Sequence, residues 1–233
     1  MRLQIASGLV AVMASTTFGF AGAVDEPVVE TAVVTPPPPV AIDWGGFFVG
    51  GFAGASQGTY MLSSASGDGP DVDVDGVIYG LQAGYNFQRN NLVYGIVADI
   101  SNGPEGITPQ FSPAGPFWFC NTGDCNADIE TLATLRGRVG VVSGNALFYA
   151  TAGVAHAQVS GGIFNSAQQG SGSATGWAAS IGAEFAVSPR GSINAEIMHV
   201  DVGDIPFGTG VGTEAFVGEG SYSTVRIGYN LRF

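Results

Sequence analysis

The chain contains no lysine. Its seven basic residues are all arginine, set against 19 acids, for a formal net charge of −12. Binding to nucleic acid needs a basic footprint on the phosphates, so this balance excludes it. Histidine is almost as scarce, with only His156 and His199. Neither has a nucleophile beside it in sequence. A catalytic set needs base, orienter and nucleophile within reach, so neither an enzyme nor a cofactor is expected. Charged residues make up only 11% of the chain, too few for a solvated disordered polymer or a helix-rich soluble enzyme. After residue 23 no apolar run approaches the ~20 residues of a spanning helix. A membrane location for this chain therefore implies a closed barrel, the other structure that pairs every backbone N–H and C=O in lipid.

Glycine and aromatics are abundant, with 37 Gly, 15 Phe and 7 Tyr. The clearest pattern is at the C-terminus, where Val225, Ile227, Tyr229, Leu231 and Phe233 alternate with Arg226, Gly228, Asn230 and Arg232. A period of two with one oily and one wet face is a strand, and a final aromatic suits a strand end at a membrane interface. The pattern recurs eight times, over 44–56, 77–88, 92–101, 129–141, 147–159, 176–187, 193–202 and 222–233. Each segment has about the ten residues that a tilted strand needs to cross a bilayer. Tight turns rich in Gly, Asn and Pro are expected near 89–91, 143–145 and 188–192, and long loops over 57–75, 102–128, 160–175 and 203–221. The prediction is an all-β, eight-stranded antiparallel up-and-down transmembrane β-barrel over 43–233, with short turns in the periplasm and long loops outside.

Residues 1–23 read as a signal peptide, with Arg2, a mostly apolar core over 5–20 and the cleavage site Ala21-Gly22-Ala23. Residues 24–42 read as an acidic, proline-rich periplasmic tether with a reach of up to ~60 Å, long enough for contact with the cell wall.

The segments DWGGFFVGGFAG, YGLQAGYNFQ, TLRGRVGVV, LFYATAGVAHA, GWAASIGAEFAV, AEIMHVDVG and VRIGYNLRF occur in this order over 43–233. Together they resemble the small eight-stranded surface-antigen and opacity family of alphaproteobacterial outer membranes, OmpA-like in transmembrane architecture. The resemblance implies a non-enzymatic role in envelope integrity and surface presentation, with outer-membrane lipid, lipopolysaccharide and the barrel-assembly machinery as partners. Three positions depart from the family: Val97 stands where an inward acid is common, and His156 and His199 where outward tyrosine is usual. Some relatives bind haem, but these loops offer no histidine to ligate iron.

An eight-stranded barrel is just wide enough inside for its own side chains. Asp99, Glu130, Glu184 and Glu196 on the inward faces are expected to pair with Arg136, Arg138, Arg226 and Arg232. Glu184 and Glu196 are placed near-opposite across their turn, where like charges need cations between them. Two functional readings follow, a charge plug that fills the lumen and a narrow gated path for ions or small solutes; a surface ligand-binding barrel is a further alternative. Cys120 and Cys125, in one loop of an exported chain, are expected to form a disulfide. Asp71, Asp73 and Asp75 open a D-x-D-x-D-G calcium pattern, but its twelfth position is Gln82, so the bidentate Glu is missing and loop acidity explains the match as well. The long loops also carry Asp68, Glu105, Asp124, Asp128, Asp204, Glu214 and Glu219 without a single arginine. Contact with lipopolysaccharide phosphates would then run through bridging divalent cations.

Overall fold

The computed structural model describes residues 42–64, 67–111, 120, 123–164, 169–207 and 216–233. The expected signal peptide, nearly all of the expected tether and the aromatic run Phe117-Trp118-Phe119, which by its sequence beside Cys120 is expected to pack against neighbouring loops, lie outside them. The described chain contains ten strands and no helix. They are β1 (Gly46–Ser64), β2 (Gly67–Arg89), β3 (Leu92–Ser101), β4 (Glu105–Thr108), β5 (Cys125–Ser143), β6 (Ala146–Ile163), β7 (Gln169–Ala186), β8 (Gly191–Asp201), β9 (Ile205–Phe207) and β10 (Phe216–Arg232).

Eight of these form an antiparallel ring in the order β1-β2-β3-β5-β6-β7-β8-β10, and β10 returns to β1 with Phe48 opposite Arg232 and Ser64 opposite Phe216. Closure leaves no unpaired sheet edge, the condition lipid imposes on strands. The short strands β4 and β9 carry the sheet upward where β3 and β8 stop: β4 pairs with both β2 and β5, and β9 with β10.

The tight turns follow β2, β5 and β7. The last closes one residue earlier than expected, because the N–H groups of Val187 and Ser188 both donate to the Gly191 carbonyl, at 2.9 and 3.1 Å. Glu184 therefore stands opposite Asn194 and Glu196 opposite Gly182. The two glutamates are diagonal neighbours, not the facing pair expected from sequence.

The larger difference lies at the other end. Strand β2 has 23 residues and β1 and β5 have 19 each, about twice what the hydrocarbon layer requires. Much of what read as long loop is strand. On β2, Val77, Tyr79, Leu81, Tyr85 and Phe87 point out, with Leu81 68% exposed. Beyond Gly76 the outward side chains become Asp75, Asp73 and Asp71, while Val74 and Val72 turn inward and are buried. The period of two persists, but the apolar face changes sides. Below this level the barrel is oily outside and polar inside; above it, Tyr60, Leu62, Ile129, Val159, Val200, Ile205 and Tyr222 join a buried apolar core, as in a water-soluble barrel. At the short-turn end Trp44, Val93, Leu147 and Tyr149 form a second, smaller cluster.

Candidate functional site

Between the two apolar clusters lies a layer of buried polar and charged side chains to which all eight ring strands contribute. Three glycines give it room. Phe48, Phe52 and Tyr149 project inward, and each ring lies over the glycine directly across the strand pair: Gly84, Gly80 and Gly182. A methyl group on those glycines would meet the ring atoms at 2.5, 2.6 and 2.6 Å. The other side of each ring is a platform for a guanidinium, with Arg138 3.8 Å from the Tyr149 ring centre and Arg226 4.3 Å from that of Phe52. Contact of this kind helps hold a desolvated cation.

Arg136 on β5 is the hub and is only 1% exposed. Its Nη2 donates to Asp99 Oδ2 on β3, Nη1 donates to Glu196 Oε1 on β8 at 2.8 Å, and Nε donates to Thr134 Oγ1 at 3.0 Å. Thr134 in turn donates to Asp99 Oδ2 at 2.9 Å. Arg226 Nη2 on β10 donates to the same Glu196 oxygen at 2.6 Å and lies 3.4 Å from Asp99 Oδ2. Tyr149 donates its hydroxyl to Glu196 Oε2 at 2.8 Å. A second, smaller group sits one layer nearer the short turns: Arg138 Nη2 donates to Glu184 Oε2 at 2.6 Å, and Ser192 and Asn230 both donate to Glu184 Oε1. The two glutamates that looked mutually repulsive thus have separate arginines.

Two expected members of this network are elsewhere. Glu130 is exposed on the outer surface, because β5 carries a bulge between Ile129 and Thr131 that shifts the pairing with β6 by one residue. A one-residue slip sends a side chain to the opposite face. Arg232 does point inward, but it stacks on Trp44 at 4.3 Å and has no ion pair among the described residues.

Asp71, Asp73 and Asp75 lie in a row on the outer face of β2, not in a loop that could wrap an ion, and Asp73 accepts a hydrogen bond from Thr59 at 3.0 Å. Among the described residues no group of three His, Cys, Asp or Glu is placed to hold a metal. Cys120 and Cys125 are joined, with their Cα atoms 5.7 Å apart. His156 and His199 lie on outward faces of β6 and β8, separated by β7, at the level where the outer surface turns polar. Their Nδ1 atoms share hydrogen bonds with Thr175 Oγ1 and Ser223 Oγ, at 2.8 and 3.1 Å, and His199 packs against Trp177. The glycine–aromatic–arginine stacks were not anticipated from sequence; the signal for them is an inward aromatic whose cross-strand partner is glycine.

The stacking gives a direct prediction. Gly182→Val should displace the Tyr149 ring, break its bond to Glu196 and cost about 1–3 kcal/mol, the usual penalty of overpacking. Urea unfolding of the refolded protein checks this; a variant as stable as wild type would show that the ring has room to move.

A closed antiparallel barrel with a lipid-compatible exterior and a polar, charge-paired interior is an outer-membrane β-barrel. Residues 30–233 match the family model described as outer membrane protein beta-barrel domain, and the chain belongs to that family. It is an outer-membrane protein. Among curated proteins it is 27% identical over 251 residues, covering 100% of both chains, to the 31 kDa outer-membrane immunogenic protein of Brucella melitensis, and equally to that of Brucella suis. Among solved structures it is similar to the outer membrane protein OprG of Pseudomonas aeruginosa, with a TM-score of 0.52 and 12% identity over 81% of this chain and 97% of that one. At that identity the likeness concerns the fold.

Proposed function

We propose that this protein is a non-enzymatic element of the outer membrane, supporting envelope integrity and presenting its outer end at the cell surface, with a lumen that is plugged and not conducting. The observation that supports this reading is that buried side chains of the described residues occupy the interior at three successive levels, the Trp44 cluster, the ion-pair layer and the apolar core above it. The seal is double. Cutting the ion pairs alone leaves twenty buried apolar side chains in the outer half, so Arg136→Ala should be as silent as wild type in planar bilayers. A steady ionic current through the wild-type protein would overturn the plug; a current in the variant alone would place the whole seal in the ion pairs. The immunogenic relatives favour the surface role.

The exterior above the membrane supports a second element of this proposal. Asp71, Asp73, Asp75, Glu105, Glu130 and Glu219 face outward there, and no arginine among the described residues does. Asp75, Glu105 and Asp128 are directly opposed across three strands, an arrangement that repels unless cations screen it. Divalent cations then bridge this surface to lipopolysaccharide phosphates without being caged by the protein. Chelation should lower the thermal midpoint in lipopolysaccharide-containing bilayers by several degrees and leave it unchanged in a zwitterionic detergent; equal midpoints with and without chelator in both media would remove the bridge. In the same reading the C-terminal strand engages the barrel-assembly machinery and residues 24–42 reach towards the cell wall.

A further inference from the structure

Among the described residues the buried side-chain charges do not balance. Arg136, Arg138, Arg226 and Arg232 stand against Asp99, Glu184 and Glu196, four cations to three anions, because the β5 bulge turns Glu130 outward. Arg136 and Arg226 share Asp99 and Glu196, and Arg138 has Glu184. The surplus is Arg232. It is 6% exposed, and none of its Nε, Nη1 and Nη2 atoms has a hydrogen-bond partner. Its guanidinium lies 4.3 Å from the Trp44 ring centre, and the Trp44 indole N–H, on a side chain that is fully buried, is also without an acceptor.

Arginine stays charged in a protein, and a buried charge without a partner is strongly unfavourable. Stacking on an indole returns only a part of that. The acids whose charge acts on Arg232 are Glu184 and Asp43; Glu184 is paired with Arg138, Asp43 is exposed and its Oδ1 accepts the Gly45 N–H at 2.8 Å, and neither makes an ion pair with Arg232. What remains is a planar fork of donors and one indole donor in the same stacked pair, with no acceptor supplied by the described chain. That donor set suits a carboxylate or phosphate oxygen pair.

We propose that the short-turn mouth of the barrel is a site for one small oxyanion, a carboxylate or inorganic phosphate, held by Arg232 with the Trp44 indole N–H as second donor. These donors lie at the periplasmic end of the lumen, since outer-membrane barrels place their short turns there. It does not depend on the lumen being sealed: a conducting barrel could carry the same site, and a silent one could lack it.

The test uses full-length, isotope-labelled protein refolded in a zwitterionic detergent and titrated with sodium acetate and with sodium phosphate, against sodium chloride at equal ionic strength. The Trp44 indole N–H and the Arg232 Nε–H resonances should shift and saturate with either oxyanion but not with chloride, while the indole of Trp177, outward on β7, stays in place. The shift at Trp44 should vanish in Arg232→Gln and persist in Asp43→Asn. No saturable shift in wild type overturns the proposal even if Arg232→Gln fails to fold. So does an equal response to chloride, and so does binding that emerges only in Asp43→Asn, which would make Asp43 the counter-ion.

Discussion

Arg136→Ala should destabilise the folded barrel by about 3–5 kcal/mol, the cost of removing one partner from a buried ion pair. The size follows from what is left behind. Asp99 and Glu196 face the same guanidinium, and without it Arg226 alone must serve both, from 2.6 Å on Glu196 and 3.4 Å on Asp99. Thr134 loses the Arg136 Nε donor as well. Urea-dependent folding into lipid vesicles gives the number. Glu130→Gln is the matched control: the same network was expected to include it, but it lies on the exposed outer face, and its change should stay within about 0.5 kcal/mol, as for ordinary surface substitutions. Equal losses for the two variants would mean that the bulge in β5 is misplaced.

The second large effect concerns the outer face. Ile227→Arg should cost about 2–4 kcal/mol, the penalty for a basic side chain at the middle of a transmembrane barrel's lipid face. Ile227 is 62% exposed on β10, between Val225 and Tyr229, and opposite Ala53 and Ala195 on the flanking strands. Asp73→Arg, also outward but above the level where the surface turns polar, should be close to neutral or slightly stabilising, because it relieves a row of carboxylates. A depth-dependent penalty of this kind is produced by lipid. If both substitutions were harmless, the apolar belt would not be meeting hydrocarbon.

The ring of eight strands and its inward and outward faces were legible in the sequence because lipid forces a strict alternation, and Val225 to Phe233 state it without interruption. Turn chemistry placed the three tight turns to within a residue or two. The outer half was not legible in the same way. On leaving the membrane the apolar side chains of β2 move from odd to even positions across Gly76, so Asp71 to Asp75 looked like the loss of a pattern when they are the same pattern in opposite phase. Reading apolar alternation only as lipid contact hides this. Tyr60 and Leu62 on β1 carried the same message, as inward apolar residues between Thr59, Met61 and Ser63.

Within the interior, seven of the eight predicted charges do point inward, and six of them make the ion pairs. The two that do not pair show where side-chain counting stops. Glu130 depends on a bulge, which inserts one residue and has no fixed sequence mark. Arg232 depends on which ring it stacks against, and Trp44 lies nearly 190 residues away along the chain. The register of Glu184 and Glu196 hinged on one residue of turn closure around Pro189.

The most direct measurement is a map of lipid and water contacts along β2, by magnetisation transfer from acyl chains and from water to backbone and methyl groups of the protein in lipid nanodiscs. Val77 and Leu81 should receive magnetisation from lipid, Asp73 and Asp75 from water, and Val72 and Val74 from neither. Lipid contact at Val72 or Val74, or water contact at Leu81, would contradict a barrel that is inside-out within the membrane and turns right-side-out above it.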